Sequence, residues 1–549
     1  MRRPLIPLCA AVLAAVAVGA ASPASAGADG RAGGTGLAPR AEDLRQVSPA
    51  DRRDWRRAIA IAERTESVRE QRERRPALHS RSFAREGACC MTVWFYADGD
   101  NRAVVKLDLR TGRIVEQWQS WQANWEMARG YEGDLGHIFN SPFILVPLGL
   151  LFLAPFVDPR RPLRMLHLDL LVLLGFGVSH VVFNRGEIGW SVPLVYPVLA
   201  YLLIRMLAIG FRPGRARGPL VPLVPVTWLI AGTVALFGAR VVMNLVDSNV
   251  LDVGYAGVIG ANHIANGDEL YDGRFAADPP AGDTYGPVTY LTYLPFERLI
   301  GWSGEWDAVP AAHGAAIFFD LLTAAALFLL GRRLRAGPAS TALGAALAFA
   351  WEAYPYSLFA LMTNSNDALV AALVVLALVA LRTAPARGLF VGLGAAAKLA
   401  PGALAPLFVN PSGRPGAREP LLYAGVFALV LVASIAPFLP PGGVQQFYDH
   451  TLGFQLGRES PFSVWGQEPS LEWLQTALKL VAVNLAVVVL LFPARKEPVQ
   501  VAALAAAILI AFQLPAVHWF YLYVVWFAPL VLVALFALHE SVHPRAAGA

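Results

Sequence analysis

Leu474–Phe492 reads LQTALKLVAVNLAVVVLLF, and Phe520–Leu538 reads FYLYVVWFAPLVLVALFAL. Each is an almost unbroken apolar run, long enough as a helix to cross a hydrocarbon core of about 30 Å. Working back toward the N-terminus, runs of the same kind recur as far as Ser141, parted by short clusters of charge. The 549 residues are 56% hydrophobic and 15% charged, whereas a soluble domain carries about 25% charged residues. So many apolar runs in succession, with charge confined to the gaps, argue against one large soluble core. They predict a mainly α, polytopic membrane protein with about a dozen crossings.

The net charge of +5 does not point to nucleic acid, because most of the excess arginine sits in short loops between apolar runs, where membrane topology accounts for it. There are three cysteines, Cys9, Cys89 and Cys90. They suggest neither a disulfide framework nor a zinc site, and a bond between adjacent cysteines is strained. Residues 1–26 have the layout of a secretory signal: Arg2 and Arg3, an apolar core from Leu5, and Ala24-Ser25-Ala26 as a small-residue cleavage site. An uncleaved signal anchor is the alternative. Residues 27–47 are Gly- and Ala-rich and read as a flexible linker.

Residues 48–135 are predicted to form a small α+β domain outside the cytoplasm. A helix starts at Ser48, with Trp55, Ile59, Ala62 and Val68 near one face. MTVWFYA (91–97), AVVKLDL (103–109) and Ile114–Trp118 read as strands. Asp98-Gly99 and Thr111-Gly112 supply the turns.

Lysine and arginine favour the cytoplasmic ends of membrane helices. The clusters are Arg160/Arg161/Arg164, Arg212/Arg215/Arg217, Arg332/Arg333/Arg335, Arg382/Arg387, Arg414/Arg418 and Arg495/Lys496. All fall on one side if three crossings occupy 141–210 and the remainder occupy 219–540, with the C-terminus inside. Two segments then cannot be simple crossings. Val288–Ile300 is short and carries Tyr290, Tyr293, Pro295 and Glu297, as an interfacial helix would. Gly388–Val409 (GLFVGLGAAAKLAPGALAPLFV) has basic flanks on both sides and Lys398, Pro401 and Pro406 within it. It reads as a broken or re-entrant hairpin of the sort that lines a polar cavity.

Charged side chains at membrane depth are costly and mark function. Here they gather on the outer side. Asp247 and Asp252 follow a membrane helix, where a carboxylate can take a proton from a hydroxyl or hold a divalent cation. In TNSND (363–367), Asn364, Asn366 and Asp367 can bind sugar hydroxyls or cap the next helix. Lys398 needs an anionic partner such as a lipid phosphate, unless it snorkels to the interface. Arg458, in QLGRESPFSVWG (455–466), can grip a phosphate or pair with Glu459. His518 lies in an aromatic run at the same interface.

From about Pro219 onward the chain resembles the GT-C superfamily of integral membrane glycosyltransferases, and within it the polyprenol-phosphate-mannose-dependent mannosyltransferases of actinobacteria. The resemblance rests on Asp252, Tyr255, Gly267 and Leu270-Tyr271, then Tyr285-Gly286-Pro287, Asn366-Asp367, Lys398 with Pro401, QLGRESPFSVWG and the aromatics near Trp526. Residues 48–135, through VKLDLRTGRIVEQW (105–118), resemble the small extracytoplasmic PepSY-type domain.

The GT-C resemblance implies a cell-membrane enzyme that moves a mannose-like sugar from a polyprenyl-phosphate donor to an envelope glycan or glycolipid. By it, Asp252 is the base and Asp247 its understudy. Lys398 and Arg458 hold the phosphate. Tyr255, Tyr285, Asn364, Asn366, Asp367, Gln455 and His518 contact substrate. A divalent cation is an open option and no nucleic acid is expected. The front end, residues 1–210, departs from the usual family core. A transporter or flippase would instead carry ionisable residues at mid-membrane and show internal repeats, and the acids here cluster at one end. A non-catalytic membrane scaffold is the third reading.

Overall fold

A computed structural model describes residues 49–86, 90–130, 136–272, 275, 282–304, 309–413 and 416–542. The expected signal, the linker, Cys9 and Cys89 lie outside these residues. Cys90 is disulfide-bonded, a single bond where the sequence suggested no disulfide framework. The chain divides into two compact units. The smaller comprises 26–131 with 181–188, and the larger contains most of the rest.

In the smaller unit, helices Pro49–Ala62 and Glu66–Arg74 accompany an antiparallel meander. The strands run in the order β1 (His79–Glu86), β2 (Cys90–Ala97), β3 (Asp100–Asp108) and β4 (Ile114–Gln119). The period of two sends Met91, Val93, Phe95 and Ala97 to one face of β2, and all four are buried. That face shares a core with Ala58, Ala62, Val68, Val105 and Leu107. Asp98 (φ 58°) and Gly99 (φ 87°) are both left-handed, as a two-residue hairpin turn requires.

The expected single helix breaks at Glu63–Thr65, where Thr65 Oγ1 donates to Ala62 O at 2.6 Å. β1, HSRSFARE, was not expected to be a strand. It pairs on one side only, with β2, and Phe83 is its one large apolar residue, so its pattern carries little strand signal.

The larger unit is helical. Among the described residues six helices are long and apolar enough to cross a membrane: Met165–Asn184, Ile188–Phe211, Val226–Val246, Pro310–Leu334, Arg418–Phe438 and Pro469–Leu491. Four shorter apolar helices join them: Pro142–Phe156, Asp367–Val379, Pro498–Gln513 and Tyr521–Phe536. The last three are almost wholly buried among other helices. The long helices instead expose large apolar side chains such as Trp228, Val234, Leu429 and Leu480. This is a mainly α, multi-pass membrane architecture.

Between the Pro310–Leu334 and Asp367–Val379 helices the chain forms two helices, Pro338–Ala353 and Pro355–Met362. Tyr354 between them is extended, because a residue before proline is pushed out of the α region.

The basic loops are tied to one another. Arg164 donates to Pro219 O at 3.0 Å, Arg335 to the carbonyls of Ala537 (2.5 Å) and His539 (3.0 Å), and Arg333 to Val379 O at 2.5 Å. Pro287–Ile300 is a 14-residue helix outside the set of candidate spans. Ala384–Ala397 breaks at Lys398, and the chain returns through short turns at Ala400–Leu404 and Ala405–Phe408. Arg387 closes the base of this hairpin by donating to Phe408 O (3.1 Å) and Leu381 O (2.6 Å).

Charge is not confined to one end of the helices. Arg205 Nε donates to both oxygens of Asp169 (3.0 and 3.1 Å), and Arg240, Asp320 and Glu352 meet with all three buried. This corrects the expectation that acids occur only at the outer ends. Each of these acids has an arginine partner within its own cluster, which lowers the cost of burying it.

Candidate active site

Asp252 opens the Asp252–Asn266 helix, and its carboxylate accepts from the Val253 N–H at 2.8 Å. The linker before it is pinned by the turn at 363–366. Asn249 N donates to Met362 O (3.1 Å) and Leu251 N to Thr363 O (3.0 Å). Asn364 is the clamp. Its amide donates to Ser248 Oγ (3.0 Å) and Asn249 O (2.8 Å), and its oxygen accepts from Asn244 Nδ2 (2.8 Å). It does so from a left-handed backbone, φ 47°, which Asn tolerates better than most residues. Asn366 Nδ2 donates to Val253 O at 3.2 Å. Neither Asn364 nor Asn366 makes the expected helix cap, since the Asp367–Val379 helix has no side-chain capping bond. The turn braces the segment that carries Asp252.

Lys398 stands at the helix break. Its ammonium lies 2.5 Å from Asp367 Oδ1, which also accepts from Trp526 Nε1 at 2.8 Å. The rings of Tyr285 and Trp526 lie 5.5 and 5.2 Å from the ammonium, within cation–π range. The anionic partner that the sequence called for is therefore Asp367, within the chain. The hairpin is docked by Gly286 N and Thr289 Oγ1, both donating to Ala397 O (3.1 and 2.9 Å). Gly286 is required there, because a Cβ would lie 1.9 Å from Ala396 O.

Arg458 follows the short Phe454–Gly457 helix. That segment is anchored to Asp283 and Tyr271 by His450 Nδ1 to Asp283 Oδ2 (2.5 Å) and Gln446 Nε2 to Tyr271 O (2.8 Å). Burial pushes the Asp283 carboxyl up, and His450 partly offsets the shift. His518 Nδ1 lies 2.9 Å from Ser460 Oγ. Burial, and then the charge of Arg458, hold this imidazole well below the usual histidine range.

These groups converge. Asp252 feels Arg458, Lys398 and Asp367, while Tyr285 and Tyr523 each feel Asp252, Asp367 and Arg458. The Asp252 side chain remains open to solvent. The protein packed around it pushes its pKa above the ordinary aspartate value, against the pull of Arg458, its own N-terminal N–H and Lys398. Desolvation outweighing two nearby cations is the condition of a carboxylate set back in a recess.

Of the residues singled out in the sequence, the structure thus brings together Asp252, Tyr285, Asp367, Lys398, Arg458 and His518, with Asn364 and Asn366 as braces. Asp247 is paired instead with His137, at 2.9 Å. Tyr255 is buried in the core with its ring against Trp302. Gln455 is exposed on its short helix. Trp526 and Tyr523 were not singled out as site residues. Their aromatic pattern fits a membrane interface equally well, and only the contact with Asp367 and Lys398 sets them apart.

A divalent cation fits poorly. Among the described residues no group of three or more His, Cys, Asp or Glu side chains could hold one, and Asp367 Oδ1 already holds the Lys398 ammonium.

Residues 284–547 match the model of the family described as glycosyltransferase family 87. Tyr285, Asp367, Lys398, Arg458 and His518 fall within the matched region, and Asp252 lies before it. The match supports a membrane glycosyltransferase that works on a glycan acceptor. No curated protein matches the chain.

Proposed function

We propose that the chain transfers a sugar, mannose in the first instance, from a polyprenyl-phosphate donor to a hydroxyl of an envelope glycan or glycolipid on the outer side of the cell membrane. One observation carries the reading. Asp252, Asp367, Lys398 and Arg458 come from four separate segments and act on one another in one place, with Asp252 open to solvent.

In this reading Asp252 accepts the proton of the acceptor hydroxyl as its oxygen bonds to the sugar C1. The bond from C1 to the phosphate oxygen breaks, and the electron pair leaves with polyprenyl phosphate. Arg458 grips the phosphate as a fixed cation. Lys398 spends one N–H on Asp367 and adds its charge from behind the Tyr285 ring. Asp367 Oδ1 is taken by Lys398 and Trp526, whereas Asp252 is open to solvent, which makes Asp252 the base and favours single displacement with inversion at C1. Neutral His518 and the phenol of Tyr285 orient hydroxyls.

The test is to supply the purified full-length protein with polyprenyl-phosphate mannose labelled in the sugar and a glycolipid extract of the envelope. Label moving from donor to acceptor, and ceasing when Arg458 and Asp252 are both replaced by alanine, supports the reading. Label that stays on the donor across a panel of polyprenyl-phosphate sugars overturns it.

A further inference from the structure

Arg240, Asp320 and Glu352 come from three helices and form a cluster that the proposed reaction does not use. All three are at most 1% exposed. Arg240 Nη2 donates to Asp320 Oδ1 at 2.9 Å, and Trp351 Nε1 donates to the same oxygen at 2.8 Å. Arg240 Nη1 lies 3.1 Å from Glu352 Oε2. Its hydrogen bonds go to Glu352 O (2.7 Å), Trp351 O (3.3 Å) and Ser357 Oγ (3.1 Å). Those carbonyls are the ones freed where the helix breaks at Tyr354-Pro355.

The cluster does not balance as drawn. It holds two carboxyl groups and one guanidinium. The charges acting on Glu352 are those of Arg240 and Asp320, and the charge acting on Asp320 is that of Arg240. With both acids ionised, a net negative charge would sit among apolar helices, the costliest place for one. The hydrogen-bond ledger has the same gap. Asp320 Oδ2 and both oxygens of Glu352 are buried without a hydrogen-bond partner. A divalent cation would not balance the cluster either, since with Arg240 it would leave a net positive charge against the two carboxylates. A proton closes the charge gap and narrows the hydrogen-bond gap, in which Arg240 Nε is also without a partner. It cancels the excess charge, and it turns one orphan oxygen into an O–H for which Asp320 Oδ2 is the acceptor left over in the same cluster.

We infer that Asp320 and Glu352 hold one proton between them, carried on Glu352, so that with Arg240 they form a neutral buried proton site at the helix break. The helix beyond the break, Pro355–Met362, leads directly into the turn that braces Asp252. The site therefore holds the active-site scaffold in place without placing a net charge in the membrane.

Infrared difference spectra of the full-length protein at pH 7 read this directly. Wild type minus Glu352→Gln should show the C=O stretch of one protonated carboxylic acid. Glu352→Gln, which is isosteric with the neutral acid, should keep its thermal midpoint within about 2 °C of wild type. Asp320→Asn should also lose the band although Glu352 is still present, because a single acid beside Arg240 ionises. Absence of the band from the wild-type difference, its persistence in Asp320→Asn, or failure of Glu352→Gln to fold each overturns the inference.

Discussion

Lys398 Nζ and Asp367 Oδ1 lie 2.5 Å apart, and each is the ion-pair partner of the other at the break of a membrane hairpin. A lysine that the sequence places at membrane depth is thereby satisfied inside the protein, with one oxygen of Asp367 doubly used and the other, Oδ2, buried without a hydrogen-bond partner. Both members of the pair also act electrostatically on Asp252, as Arg458 does.

Breaking that pair on one side should be severe. Asp367→Asn or Lys398→Met alone strands a buried charge and should cost about 3–5 kcal/mol. The double replacement should cost clearly less than the sum of the two, because neither charge is then left alone. Unfolding followed by tryptophan fluorescence in one detergent checks the cycle. Strict additivity would show that the two residues are not coupled.

Arg458 should report on the donor rather than on folding. Arg458→Ala removes charge-assisted hydrogen bonds worth about 1.5–3 kcal/mol, so affinity for a polyprenyl-phosphate sugar should fall roughly 10- to 150-fold. Arg458→Lys should recover part of the loss, since the charge returns without the planar fork. Equilibrium binding of labelled donor distinguishes the three proteins.

The pH profile has a defined sign. Asp252 works as a base only when ionised, so transfer rises with pH as the proton leaves. Its pKa is raised by the desolvating protein packed around it, which places the acid limb at a higher pH than an ordinary aspartate would give. Arg458 and Lys398 both pull that pKa down, so Arg458→Ala should move the limb further toward high pH. Rates measured from pH 4 to pH 8 at saturating donor test the direction. A limb that stays put or moves down in the variant contradicts the assigned contact.

Gly286→Ala tests the docking of the hairpin. Its Cβ would lie 1.9 Å from Ala396 O, which is backbone and cannot swing aside. The loss in stability should be of the size seen for overpacking, about 1–3 kcal/mol. Transfer should fall far more than the helix content measured by circular dichroism, because the displaced hairpin carries Lys398.

Much of this was legible in the chain because membranes impose simple rules. Apolar length located the long helices, and the arginine clusters required two exceptions, Val288–Ile300 and Gly388–Val409. Both exceptions proved to be short or broken elements next to the site. The expectation for Lys398 named a lipid phosphate as its anion, or snorkelling, and not Asp367, since no spacing rule links positions 31 residues apart on different helices. Asp247 and Asp252 look alike in sequence, and only the long-range partners, His137 for one and Arg458 for the other, separate them. The same limit hid the Arg240 cluster, whose members read singly as isolated charges. It also hid β1, whose pairing with β2 supplies what its own pattern lacks.

The central claim is that Asp252 removes the acceptor proton at a site where Arg458 and Lys398 hold the donor phosphate. Single-turnover transfer by Asp252→Asn, measured beside donor binding on the same preparation, tests it most directly. The expected result is a rate reduced roughly 10²- to 10⁴-fold, the contribution typical of a general base, with donor affinity changed less than about threefold, well under one factor of ten per 1.4 kcal/mol. Transfer at the wild-type rate by a folded, donor-binding Asp252→Asn would contradict it.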